Sequence, residues 1–130
     1  MIKFTVPGEV KGKQRPKFAR MGKFVSTYTP EQTVNYEAWI RQCFISKYPK
    51  WIPTEKPLIM HIRAFFIRPK SNKKPQPITV RLDADNIGKV ICDGLNGIAY
   101  RDDKQIVGLT INKIWGDIAR VEIQIEEMEA

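Results

Sequence analysis

Histidine occurs once in the 130 residues, at His61, and cysteine twice, at Cys43 and Cys92. So few soft ligands, so far apart, argue against a zinc site or a disulfide-stapled scaffold. The two cysteines lie in apolar helical-looking stretches and are expected to be reduced, buried thiols of a cytosolic protein. No apolar run reaches the length of a membrane span, so no membrane partner is expected. The opening Met1–Pro7 lacks a basic segment followed by a long apolar one, so no secretory signal is expected. Nine prolines and eight glycines are too few for a fibrous or low-complexity chain. No glycine-rich cradle followed by Lys-Ser/Thr is present, which removes the P-loop reading. A mass of 15.1 kDa and 42% hydrophobic residues fit one domain, residues 1–130, with a buried core.

Negative charge is the scarcer sign. Lys and Arg number 22 against 14 Asp and Glu, for a net charge of +8 and an isoelectric point near 9.6. The imbalance is local. Residues 1–80 hold 16 Lys and Arg against 4 Asp and Glu, whereas residues 81–130 hold 6 against 10. The basic residues gather in two stretches punctuated by glycine or proline: Lys11, Lys13, Arg15, Lys17, Arg20 and Lys23, then Arg68, Lys70, Lys73 and Lys74. Both read as loops or hairpin arms suited to a phosphate backbone, where contact releases condensed counterions. A solvated, solubilising face is the plain alternative for either patch alone. The two together with the high isoelectric point favour nucleic acid.

Periodicity gives an α+β chain with a mixed, mainly antiparallel sheet and two main helices. Met1–Pro7 alternates Ile2, Phe4 and Val6 as a half-buried strand, and 24–28 reads as a short one. Thr29-Pro30-Glu31-Gln32 has the form of a capped helix start. That helix is expected to run to about Lys47, with Val34, Tyr36, Ile40, Phe44 and Ile45 buried and Tyr48-Pro49 ending it. Trp39 and Trp51 read as packing residues. Leu58–Arg68 reads as a strand, and His61 within it as structural. Asp85–Leu95 reads as a second helix, with Ile87, Ile91 and Leu95 on one face and Asn96-Gly97 as its stop. Strands follow at Gln105–Trp115 and Ile118–Glu126, the latter with Val121, Ile123 and Ile125 inward. Gly116-Asp117 between them reads as a hairpin turn.

The informative residues are acidic. Asp83 and Asp85 stand two apart, on one side of an extended segment, where a helix begins and carboxylates are favoured by unpaired N–H groups. Lys89 and Asp93 follow at one-turn intervals. Asp102 and Asp103 come after the helix stop, placed to return beside the first pair. Clustered carboxylates repel unless a cation joins them, and hard oxygen ligands suit Mg²⁺. Mg²⁺ beside a phosphodiester polarises it and activates water, and a rim lysine such as Lys89 offsets charge developing on phosphorus. Each residue also has a plain reading: Asp85 as a helix cap, Asp85–Lys89–Asp93 as a solvated salt-bridge stripe, Asp102-Asp103 as a turn. A calcium loop starting at Asp83 fails, since its fifth and twelfth places are Ile87 and Gly94. Asp102-x-Lys104 fits a short nuclease signature that is common by chance.

The ordered set Asp83-x-Asp85-Asn86-x-x-Lys89-x-x-x-Asp93-x-Leu95-Asn96, then Asp102-Asp103-x-Gln105, resembles the RusA family of Holliday-junction resolvases. The Gly12-Lys13-Gln14-Arg15-Pro16 segment and the Tyr28-Thr29-Pro30 helix entry agree more loosely. The resemblance implies a small homodimeric endonuclease, often phage- or prophage-encoded, acting in the cytoplasm of a bacterial or phage-infected cell. It implies paired symmetric nicks in four-way DNA junctions with Mg²⁺ or Mn²⁺. By it, Asp83, Asp85 and Asp103 correspond to the essential carboxylates and Lys89 to the important lysine, with Asn86, Asp93 and Asp102 supporting. Asp102 and Asp103 are interchangeable on sequence, although a strand extending back from residue 107 would put Asp103 on the face of Val107, Leu109 and Ile111. Two departures touch the loop rather than the ligands: Arg81-Leu82 stands where many relatives have a proline, and Gly88 sits inside the helix. The rival readings are a metal-dependent nuclease of flaps or single strands, and a basic nucleic-acid-binding module without catalysis.

Overall fold

The computed structural model describes residues 1–12, 17–21, 24–28, 31–70, 77–79 and 81–129, with the backbone alone for 17–21, 24–28 and 31–32. In chain order the elements are β1 (Ile2–Pro7), β2 (Lys17–Met21), β3 (Phe24–Tyr28), α1 (Glu31–Lys47), β4 (Leu58–Ile67), α2 (Ala84–Leu95), a single 3₁₀ turn (Asp103–Gln105), β5 (Ile106–Gly116) and β6 (Arg120–Glu127). This is the expected α+β architecture.

Alternation makes the main sheet. Ile2, Phe4 and Val6 of β1, Met60, Ile62, Ala64 and Phe66 of β4, and Val121, Ile123 and Ile125 of β6 are all buried, and their neighbours in sequence are not. The strands lie in the order β1-β6-β4-β5. β1 and β4 run antiparallel to β6, while β4 and β5 run parallel. A parallel pair needs a long return, and the segment containing α2 supplies it. β2 and β3 form a separate antiparallel ribbon within the first basic stretch.

Two expectations are corrected. β5 and β6 are not hairpin partners at Gly116-Asp117, because β4 lies between them. The buried row of β4 earns a partner on each side. β5, with Val107 and Leu109 exposed, takes the edge. On α1, Tyr36, Ile40 and Phe44 are buried, but Val34 and Ile45 are about half exposed and Thr33 is fully buried. Thr33, Tyr36, Ile40 and Phe44 repeat at helical spacing. Val34 and Ile45 each sit one residue off that stripe, about 100° around the helix.

Helix α1 packs on β1 and α2. Phe44 meets Phe4 edge-on at 5.5 Å and Trp51 at 6.4 Å, so Trp51 is a packing residue as expected. Trp39 lies at the surface and ties α1 to β1 by donating from Nε1 to the Pro7 carbonyl at 3.0 Å. The cap expected at Thr29 and Gln32 falls outside the described side chains. Helix α2 spans Ala84–Leu95 and seats Ile87, Val90, Ile91 and Leu95 in the core. Gly88 has a packing reason: a Cβ there would lie 2.6 Å from Ile111 Cδ1, so glycine lets α2 approach β5 closely.

Candidate active site

The first pair of carboxylates stands at the start of α2. Asp83 is the N-cap residue in extended conformation, and its carbonyl accepts from the Ile87 N–H at 3.1 Å. Its carboxylate makes no capping hydrogen bond. Asp85 follows in the first turn, and both side chains are exposed. The unpaired N–H groups of the turn place positive potential beside them. Lys89 is exposed one turn further on. Among the described residues, Asp83, Asp85 and Lys89 enter no ion pair, so Asp85 and Lys89 are not a surface salt bridge.

The loop entering α2 is held from three sides. Arg81 has φ +78°, a left-handed backbone that costs a non-glycine residue about 1–3 kcal/mol. Its guanidinium lies 3.5 Å from Glu9 Oε1. The Leu82 carbonyl accepts from Lys113 Nζ at 3.1 Å. The Leu82 side chain rests on Gly12, where a Cβ would strike it and come within 3.3 Å of Asn86 Nδ2. The backbone leading into the first basic stretch therefore passes against the loop that carries Asp83.

The second pair sits before β5. Gln105 Nε2 donates to the carbonyls of Thr54 at 2.8 Å and Lys56 at 3.0 Å, and the Arg101 N–H donates to Thr54 at 3.2 Å. These bonds pin the turn to the segment before β4. Asp102 caps the turn: its Oδ1 accepts from the Lys104 N–H at 3.0 Å, and its own N–H donates to Gln105 Oε1 at 2.9 Å. That backbone bond holds the Asp102 carboxyl below the usual carboxylate range. Asp103 is held above it, by partial desolvation first, then by the hydrogen bond with Asp102 and the charges of Asp102 and Asp93. The turn is 3₁₀, not a backward extension of β5, so strand alternation does not distinguish Asp103 from Asp102; the two differ in that Asp102 alone caps the turn.

Asp93 is half-buried on α2. Behind it the buried Tyr100 hydroxyl donates to the Cys92 carbonyl at 2.6 Å. Burial pushes the Cys92 thiol up to about 11, and the charges of Asp103 and Asp93 add to the shift. Cys43 and Cys92 are both free thiols, as expected, but only Cys92 is buried, Cys43 being half-exposed on α1. Among the described residues, no three His, Cys, Asp or Glu side chains converge to hold a metal. The oxygen donors of Asp83, Asp85 and Asp103 suit a hard divalent cation in kind. The charges that raise the Asp103 carboxyl, after desolvation, are those of Asp102 and of Asp93 in the last turn of α2, so Asp103 stands by the opposite end of α2 from Asp83 and Asp85.

Of the basic residues, Lys11 and Lys70 are exposed, and the half-buried Arg68 lays its guanidinium 5.8 Å from the Trp115 ring. Lys17 and Arg20 lie in β2, where the backbone alone is described. Lys13, Arg15, Lys23, Lys73 and Lys74 fall outside the described residues. Sequence reasoning missed Glu9, Arg81 and Lys113, which hold the loop. Glu9 and Arg81 match no motif. Lys113 carries a faint signal, a lysine in the row Leu109, Ile111, Trp115 of an alternating strand.

A net charge of +8 with its basic residues in two stretches favours a polyanionic partner. The particular family is settled by comparison. The model of endodeoxyribonuclease RusA matches residues 7–126, and the chain belongs to the RusA endodeoxyribonuclease family. It is therefore a nuclease by family. The uncharacterized protein YqaN of Bacillus subtilis (strain 168) is 30% identical over 140 residues, covering 99% of this chain and 98% of that protein. Among the described residues, no helix is long and apolar enough to cross a membrane.

Proposed function

We propose that the chain is a divalent-metal-dependent endodeoxyribonuclease that resolves four-way DNA junctions by paired symmetric nicks, acting as a homodimer. The observation that carries this reading, within a RusA family member, is the division of labour among the aspartates. Asp102 uses its carboxylate as a cap, while Asp83 makes no capping bond and Asp103 is held above its ordinary range by desolvation first and then by Asp102 and Asp93. By the family resemblance Asp83, Asp85 and Asp103 would hold Mg²⁺, with Mn²⁺ as a substitute, although the described residues do not bring the three together. A cation there supplies polarisation of the phosphodiester and a lowered pKa for attacking water. Lys89 offsets charge developing on the phosphate, and Asn86, Asp93 and Asp102 support the ligands. The basic stretches grip backbone rather than bases, so junction shape matters more than sequence. Two sites related by a twofold axis match two symmetric strands.

The deciding experiment compares a synthetic four-way junction, a flap and a duplex, each with and without Mg²⁺. Symmetric nicking of the junction in Mg²⁺ is expected. Faster cutting of the flap would favour a flap nuclease, and binding without cutting a non-catalytic module. Lys89→Ala is expected to lower turnover by about 10²-fold with junction binding kept, the usual scale for losing one charge-stabilising group. Unchanged single-turnover rates would remove that role.

A further inference from the structure

Lys113 occupies a position that strand alternation reserves for apolar side chains. It shares the helix-facing row of β5 with Leu109, Ile111 and Trp115, and it is half-buried. Its register partner on β4 is the fully buried Ala64, whose small side chain leaves room for the lysine stem to run along the sheet. At the end of that stem the ammonium donates to the Leu82 carbonyl at 3.1 Å, one residue before Asp83. Holding a cation in such a row is unfavourable unless it is matched by polar partners. The Leu82 carbonyl is one such partner, and it belongs to the loop whose left-handed Arg81 needs outside restraint.

We propose that Lys113 is a positioning residue that, through the Leu82 carbonyl, fixes the direction in which Asp83 presents its carboxylate for a divalent cation. The inference rests on the function proposed above. Lys113 thus holds the loop that starts α2 without touching substrate.

The test is titration of Mn²⁺ into the full chain without DNA, read by electron paramagnetic resonance of free Mn²⁺, beside thermal melting and junction cleavage. Lys113→Met is expected to weaken Mn²⁺ binding about 10-fold or more, the usual scale for losing a group that orients a ligand. Cleavage should fall at limiting Mg²⁺ and recover at high Mg²⁺, with KM for the junction unchanged. An unmoved Mn²⁺ midpoint in folded Lys113→Met overturns the proposal. So does a raised KM with a shallower salt dependence and native Mn²⁺ affinity, which would make Lys113 a phosphate contact. If Lys113→Met does not fold, Lys113→Gln, which keeps a shorter N–H donor, replaces it with the same expected direction, and an unmoved midpoint overturns the proposal equally. Asp83→Asn separates the two readings. Loss of Mn²⁺ affinity in Asp83→Asn but not in the Lys113 variants sinks only the positioning role. Native affinity in Asp83→Asn sinks the site itself.

Discussion

Asp83→Asn is expected to lower junction cleavage by about 10³-fold or more, the scale seen when one member of a group that acts as a unit is removed. The fold should not suffer. The Asp83 side chain is exposed and makes no capping bond, and asparagine is as good an N-cap residue as aspartate. The Ile87 N–H bonds the backbone carbonyl of residue 83, which the substitution leaves in place. The core contacts of Ile87, Val90, Ile91 and Leu95 are also untouched. Junction binding should persist or tighten, because one negative charge near the phosphates is gone. Melting temperature, gel-shift affinity and single-turnover cleavage measured on one preparation check all three statements. Native cleavage by folded Asp83→Asn would end the hydrolytic account of these carboxylates.

The strands were legible where alternation met a buried face. Ile2, Phe4 and Val6 in β1 and Val121, Ile123 and Ile125 in β6 declare their inward sides by period alone. Helix α2 was equally plain from Ile87, Ile91 and Leu95. Pairing was not legible. Alternation says which side of a strand is buried but not which strand lies beside it, and the short link at Gly116-Asp117 imitates a hairpin that β4 pre-empts. Thr33 escaped because a hydroxyl in a core stripe looks like a break in the pattern, and Val34 and Ile45 misled because apolar residues one step off the stripe look like part of it.

The site divides in the same way. The spacing of Asp83 and Asp85 at a helix start can be read from letters, since local geometry fixes both. The choice between Asp102 and Asp103 cannot. It depends on a turn pinned by Gln105 to Thr54 and Lys56, some 50 residues away in the chain. The restraint by Lys113 is hidden for the same reason, since a bond from β5 to the Leu82 carbonyl exists only once the parallel return has been made.

Asp103→Asn and Asp102→Asn are expected to behave in opposite ways, although the residues are adjacent. The Asp103 carboxyl is held above its ordinary range, by partial desolvation first and then by Asp102 and Asp93. A carboxyl raised on folding binds its proton more tightly in the folded chain, so it costs stability once the pH exceeds its ordinary value, and the full cost stands at neutral pH. Asp103→Asn should therefore raise the melting temperature at pH 7, and the gain should vanish well below about pH 4, where both forms are neutral. Cleavage should fall by about 10³-fold or more, because the substitution removes a proposed ligand. Asp102 has the reverse sign. Its carboxyl is lowered by the Lys104 N–H, so it stabilises the fold above its ordinary value and loses that contribution as the pH falls through its folded value. Asp102→Asn retains an oxygen for the cap and should keep most of the cleavage, whereas Asp102→Ala should lower the melting temperature at neutral pH. Melting curves at both pH values and cleavage rates for the three variants decide the matter. A stabilised, fully active Asp103→Asn beside an inactive Asp102→Asn would exchange the two roles and show that the capping carboxylate is the one the metal takes.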